Sequence, residues 1–250
     1  MLQINQSLPS GALIGREGLT LSKALQRTNG AWFAAREDRI LRDGDRITGW
    51  REASDGVDAM CTEPNTGNSQ FDPGPPTALL LSPGVHCGFV VPDFTPEVES
   101  FTAAVIYTSP ANAAKTLFAV STGKTNNLIF LSESDGMLFA KDRENTALAE
   151  VPVPANPTQA RLAILTFSGR RLVLQTAGKT INAEGTLPGM AHPGHFFIGC
   201  RSNRSGLTKT LGLARLHDVV FWPDRALLGS SDPDDTAALS ALNSYHRWAY

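Results

Sequence analysis

The sequence predicts an all-β protein: an antiparallel sandwich or barrel over residues 48–250, preceded by an N-terminal arm over residues 1–47 and closed by one C-terminal α-helix. Three observations carry this reading. Short runs rich in Leu, Val, Ile, Phe and Thr recur between residues 77 and 222, each bounded by Gly, Asn, Ser or Pro. Two of them, 161–167 (RLAILTF) and 171–176 (RLVLQT), flank Ser168-Gly169-Arg170, whose Gly can take positive φ, as the loop of an antiparallel hairpin requires. No period of roughly 20–50 residues repeats along the chain, which disfavours a solenoid or propeller.

In chain order, residues 1–47 lack sustained alternation and hold one short helix near 21–27 and an apolar patch at 31–35. Such a segment rarely offsets ~1–2 kcal/mol of backbone entropy per residue by itself. It is therefore expected to lie on its own domain or on a partner subunit. Residues 48–76 are polar and rich in turn residues. Strands follow at 77–81, 86–91, 101–108, 116–122, 127–131 and 137–141, then the hairpin, then 195–201 and 211–222. The helix over about 233–248 has the strongest local signature. Asp232 suits the N-cap, Pro233 the first helical position, and Asp234 and Asp235 the first turn. Ala238, Leu239, Ala241, Leu242, Tyr245 and Trp248 then fall at spacings of three and four on one apolar face. Trp222 and Trp248 are assigned to the core, and Trp32 and Trp50 to core or contact positions.

With 250 residues the chain can bury a full core as one domain. A formal charge of −2 with both signs scattered leaves no basic footprint for nucleic acid, so none is expected as a partner. No apolar run reaches the ~20 residues of a membrane span, and the first residues lack the basic start of a secretory signal, so assembly in the cytoplasm is expected. Cys61, Cys87 and Cys200 are odd in number and far apart, and read as free thiols.

The order of features resembles the concanavalin A-like lectin/glucanase superfamily, and within it the laminin G-like (pentraxin-like) domains. The residues that carry the resemblance are Trp50-Arg51-Glu52-Ala53-Ser54-Asp55-Gly56 at the opening, Phe101-Thr102 at a long core strand, and Phe167-Ser168-Gly169 with Leu172-Val173-Leu174 and Gly178 at the central hairpin. Ile198-Gly199, Leu213-Ala214-Arg215-Leu216 with Phe221, and Asp224-Arg225-Ala226-Leu227 carry it to the end. It implies a two-sheet antiparallel jelly-roll sandwich whose rims can bind sugars.

The superfamily's laminarinase-type glucanases carry two Glu flanking an Asp on one strand. Glu133-Ser134-Asp135-Gly136-Met137 comes nearest, but lacks the second Glu and reads as a solvated turn. Gly123-Lys124-Thr125 has Phe118 where a phosphate-binding loop needs Gly, and His192 and His195 have no third ligand nearby. No nucleophile elbow is present. No catalytic residue, metal or cofactor is therefore assigned, and an enzyme is not expected. Asn126, Asn127, Asp142, Arg143, Asn145, Arg201, Asn203 and Arg204, near strand ends, are the candidate glycan-binding residues. The function expected is a structural or adhesive virion protein of a phage or phage-like particle (fibre, spike or head decoration). It would be a homo-oligomer, bound to other virion proteins through the arm and to cell-surface glycan. The alternatives are a polysaccharide hydrolase or lyase, and a free-standing lectin whose first 45 residues fold back on its own sandwich.

Overall fold

The computed structural model describes residues 15–250 except 55, 66–69, 123–126, 155, 157, 184, 185, 191 and 204. In chain order it begins with α1 (Arg16–Thr28), β1 (Ala31–Ala34), β2 (Ile40–Asp43), β3 (Arg46–Arg51), β4 (Asp58–Cys61), β5 (Gln70–Asp72) and β6 (Ala78–Leu81). There follow β7 (Phe89–Thr95), β8 (Ser100–Thr108), β9 (Lys115–Thr122), β10 (Asn127–Ser134), β11 (Met137–Asp142) and β12 (Ala147–Pro152). Then come β13 (Arg161–Ser168), β14 (Arg171–Thr176), β15 (Lys179–Asn182), β16 (Gly194–Ile198), β17 (Ala214–Trp222) and α2 (Pro233–Ala249).

One sheet, here sheet A, has the order β15-β14-β13-β8-β17-β6-β5, with β1 also paired to β17. The other, sheet B, has the order β12-β11-β10-β9-β16-β7-β4-β3-β2. Every ladder is antiparallel. Between the sheets, Phe101, Val105, Phe167 and Phe221 of sheet A meet Phe118, Leu131, Phe196 and Ile198 of sheet B. The rings of Phe196 and Phe221 stack with centroids 4.1 Å apart. The alternate residues of β8, β13 and β17, among them Ala104, Ile106, Ile164, Val220 and Trp222, face outward under α1 and α2. Burial on both faces is why these strands read as unbroken apolar runs and not as alternation.

The helix α2 forms as expected. Its N-cap Asp232 accepts the Asp234 N–H at 2.8 Å. Asp235 is buried and binds Arg225 at 2.6 Å and Ser230 at 2.7 Å.

Residues 15–47 lie on their own sandwich. Leu21, Ala24, Leu25 and Thr28 form one stripe of α1, which packs beside α2 and over Trp222; the Trp222 indole N–H donates to Thr28 Oγ1 at 2.8 Å. The segment 31–34 pairs with β17 from Ala31↔Phe221 to Ala34↔Asp218, and β2 closes the edge of sheet B. The 47/48 position expected as a boundary falls inside β3. Glu52 of the motif that carried the resemblance is 3% exposed. Its carboxylate accepts the backbone N–H groups of Trp32 at 3.0 Å, Ser54 at 2.7 Å and Gly56 at 3.1 Å, fastening β1 to the turn after β3.

Trp32, Trp50 and Trp222 are buried, but Trp248 is 52% exposed. Its assignment to the core is corrected, because Tyr245 and Tyr250 take the inward places. Their hydroxyls donate to the buried Asp218 at 3.3 and 2.5 Å, beside the Trp32 indole N–H at 2.7 Å. Trp248 is left at the margin against Gly15, where a Cβ would come within 2.3 Å of the indole.

Candidate functional site

The outer face of sheet B is where polar chemistry collects. On β10 and β11 the pairs Phe130↔Lys141 and Ser132↔Phe139 share this face, because side chains alternate along a strand. After β16 the chain folds back over it, so that Cys200 and Leu211 cover Phe130, Ala119 and Phe197. Between this covering segment and the sheet is a pocket of about 350 Å³, lined by Lys115, Lys141, Asn145, Arg201 and Lys209 with Ser132, Ser134 and Thr210.

Each cation is placed by a local feature. The Arg201 guanidinium lies 3.6 Å over the Phe130 ring and its Nε donates to Thr116 Oγ1 at 3.0 Å. Lys141 Nζ sits 4.3 Å from the Phe139 ring. Lys115 has φ 57°, in the left-handed region, next to the register shift at Leu131/Ser132 where β9 bulges against β10. Lys209 comes from the 3-10 turn Ser205–Thr210. Burial pushes Arg201 down to about 10. Burial also lowers Lys141, helped by repulsion from Arg201 and Lys115 and opposed by Glu150. Cations that raise one another's cost of charging gain most from an anion placed among them.

The carboxylate at the pocket border belongs to the interior. Glu133 is fully buried; its Oε2 accepts from Tyr107 Oη at 2.5 Å and from Arg161 Nη1 at 2.8 Å. Arg161 Nη2 also donates to Asn112, Pro154 and Asn156. The solvated-turn reading therefore holds for Asp135 and Gly136, which have φ of 54° and 74° between β10 and β11, and is corrected for Glu133. In the strand, Glu133 points to the opposite face from Ser132 and Ser134.

Of the eight residues expected to bind glycan, the pocket brings together Asn145 and Arg201. Asn126 and Arg204 lie outside the described residues. Asn127, at the far end of β10 from Ser134, is roughly 23 Å away at ~3.3 Å per residue, and its amide donates to the Gly189 carbonyl. Asp142 accepts the Thr146 N–H at 2.8 Å and holds its own turn. Arg143 is exposed, 3.6 Å from Glu144, and Asn203 is exposed outside the pocket lining. Lys115, Lys141 and Lys209 were missed. For Lys141 a signal existed, since in MLFAK the lysine shares a face with Phe139.

The Gly123-Lys124-Thr125 stretch lies outside the described residues. The Asp93 N–H donates to His195 Nδ1 at 3.3 Å, and no group of three His, Cys, Asp or Glu fit to hold a metal occurs among the described residues. Cys87 and Cys200 are buried and Cys61 half-buried; burial raises the Cys61 thiol to about 11 and Cys200 to about 12. Among the described residues no helix is long and apolar enough to cross a membrane.

No protein-family model matches the chain, and no curated protein matches it. Among solved structures it is similar to Trypanosoma rangeli sialidase in complex with sialic acid, at 16% identity and a TM-score of 0.56, over 86% of this chain and 33% of that one. It is also similar to the carbohydrate binding module CBM66 from Bacillus subtilis (12% identity, TM-score 0.40, covering 63% and 96%). A third is alginate lyase AlgAT5 of polysaccharide lyase family 7 (11% identity, TM-score 0.41, covering 80% and 96%). The chain spans about a third of the sialidase's length. At these identities the likeness is one of fold, a two-sheet antiparallel jelly-roll sandwich. It also corrects the expectation that the chain is not an enzyme, because the fold occurs within an enzyme's chain. The missing motif is no ground for a non-catalytic assignment.

Proposed function

We propose that the chain binds carbohydrate through the outer face of sheet B, and that the sugar held there carries carboxylate or sulfate groups. The observation that carries this reading is the convergence of Lys115, Lys141, Arg201 and Lys209 on one pocket, while the Glu133 carboxylate at its border is engaged by Arg161. The planar Asn145 amide and the hydroxyls of Ser132, Ser134 and Thr210 supply the neutral partners a sugar ring needs.

Titration calorimetry with a galacturonate hexasaccharide and a neutral maltohexaose tests it. The acidic sugar binds, the neutral one does not enter this pocket, and Lys141→Ala or Arg201→Ala each weakens binding about tenfold, ~1.4 kcal/mol. Binding falls as pH rises toward 10, beginning earlier than for an ordinary lysine because the Lys141 ammonium is already disfavoured. Equal affinity for both sugars, or variants that bind like the parent, would sink the proposal.

A second reading is turnover of the bound sugar, since a sandwich of this fold also forms part of a sialidase's chain. Assaying the same mixtures for new reducing ends decides it. The adhesive role in a phage-like particle rests on the sequence resemblance. A mass in solution equal to the 26.8 kDa of one chain would remove the homo-oligomer from that reading.

A further inference from the structure

We infer that the groove beside the last turn of α2 is a second carbohydrate site, one that takes an uncharged sugar ring against Trp248. The groove encloses about 560 Å³, within the ~300–1,000 Å³ of small-molecule sites. Its lining includes Trp248, Tyr250, Thr108, Gln159, Arg215 and His217, with the rings of Tyr250 and His217 5.1 Å apart. These residues are separate from those of the cationic pocket.

Three features favour a sugar ring. Trp248 is half exposed yet held in place, because Gly15 lies against its six-membered ring where any side chain would collide. A fixed indole face is a stacking platform that loses little freedom on binding. The same lining holds hydrogen-bonding groups: the exposed Gln159 amide, and Thr108 Oγ1, 3.3 Å from His217 Nε2. Formal charge is cancelled. Arg215 Nη1 is 2.8 Å from Asp72 Oδ2, with Nη2 on the Pro76 carbonyl. His217 donates from Nδ1 to the Thr77 carbonyl at 2.8 Å, and burial disfavours its charged form. An aromatic face with amide and hydroxyl partners and no unpaired side-chain charge among its described lining residues suits a neutral polyol ring better than an anion.

The other three tryptophans are at most 3% exposed, so Trp248 is the one that aqueous iodide can quench. Iodide quenching of the full chain is followed with maltohexaose, cellohexaose or xylohexaose added up to about 10 mM, above the ~1 mM of a weak −4.1 kcal/mol site. At least one neutral hexasaccharide should halve the quenching slope. Gln159→Ala should raise the concentration needed about fivefold, Lys141→Ala should leave it unchanged, and Trp248→Ala should abolish quenching in a folded protein. Absence of protection by all three sugars overturns the inference, as does quenching that survives Trp248→Ala. Protection that follows Lys141→Ala and not Gln159→Ala assigns the effect to the cationic pocket and also overturns it.

Discussion

Asp218 shows how much one residue can set. It is fully buried, and burial raises its carboxyl to about 6 against the donors Tyr250, Trp32 and Tyr245, which pull the other way. The native state therefore holds a proton that the unfolded chain, with an ordinary carboxyl near 3.8, has released. The stability this supplies is complete below pH 4 and is lost as pH rises through 6. Two pKa units correspond to about 3 kcal/mol. Asp218→Asn keeps an acceptor for the Trp32 indole and cannot ionise. Urea unfolding at pH 4 and pH 7 should show a falling stability in the parent that is reduced by about 3 kcal/mol in the variant. An unchanged pH slope would refute the assignment. Nothing in LHDVVFW announces this residue, since an aspartate in a strand reads as outward-facing until Trp32, Tyr245 and Tyr250 arrive from both ends of the chain.

Among the elements, those specified by their own residues were legible. The helix α2 follows from its Asp-Pro start and its apolar spacing, and β13–β14 from a short Gly-containing loop between apolar runs. The elements between residues 15 and 61 were not, because their stability comes from elsewhere. The strand β1 has four residues and exists by pairing with β17, while α1 has a narrow stripe that means something only against Trp222 and α2. A chain beginning at Thr48 would remove α1, β1 and β2 together, bare Trp222 and Val220, and leave Glu52 without the Trp32 N–H. Such a chain should show weak circular dichroism and rapid amide exchange in β17. A truncated form as cooperative as the parent would mean that 15–47 contribute no essential packing.

For the molecule as a whole, the sheets are fastened at one end by Tyr107, Glu133 and Arg161, which join β8 and β13 of sheet A to β10 of sheet B. Arg161→Ala strands the Glu133 carboxylate in the interior, and a loss of about 3–5 kcal/mol is expected from denaturant melts. A loss below 1 kcal/mol would show that water reaches the site. The cationic pocket was illegible for a related reason. Its cations lie at 115, 141, 201 and 209, and a chain of net charge −2 gives no hint that folding gathers them. Of the residues that loop chemistry offered, Asn145 and Arg201 are the two that line this pocket.

The helices α1 and α2 cover the outer face of sheet A, and the pocket opens on the outer face of sheet B. A tether joined ahead of α1 thus leaves from the side of the protein opposite its cationic mouth. Fixed to a bead or a chip by such a tether, the molecule would present that mouth to the bulk, where a polymer much larger than itself can approach without meeting the support.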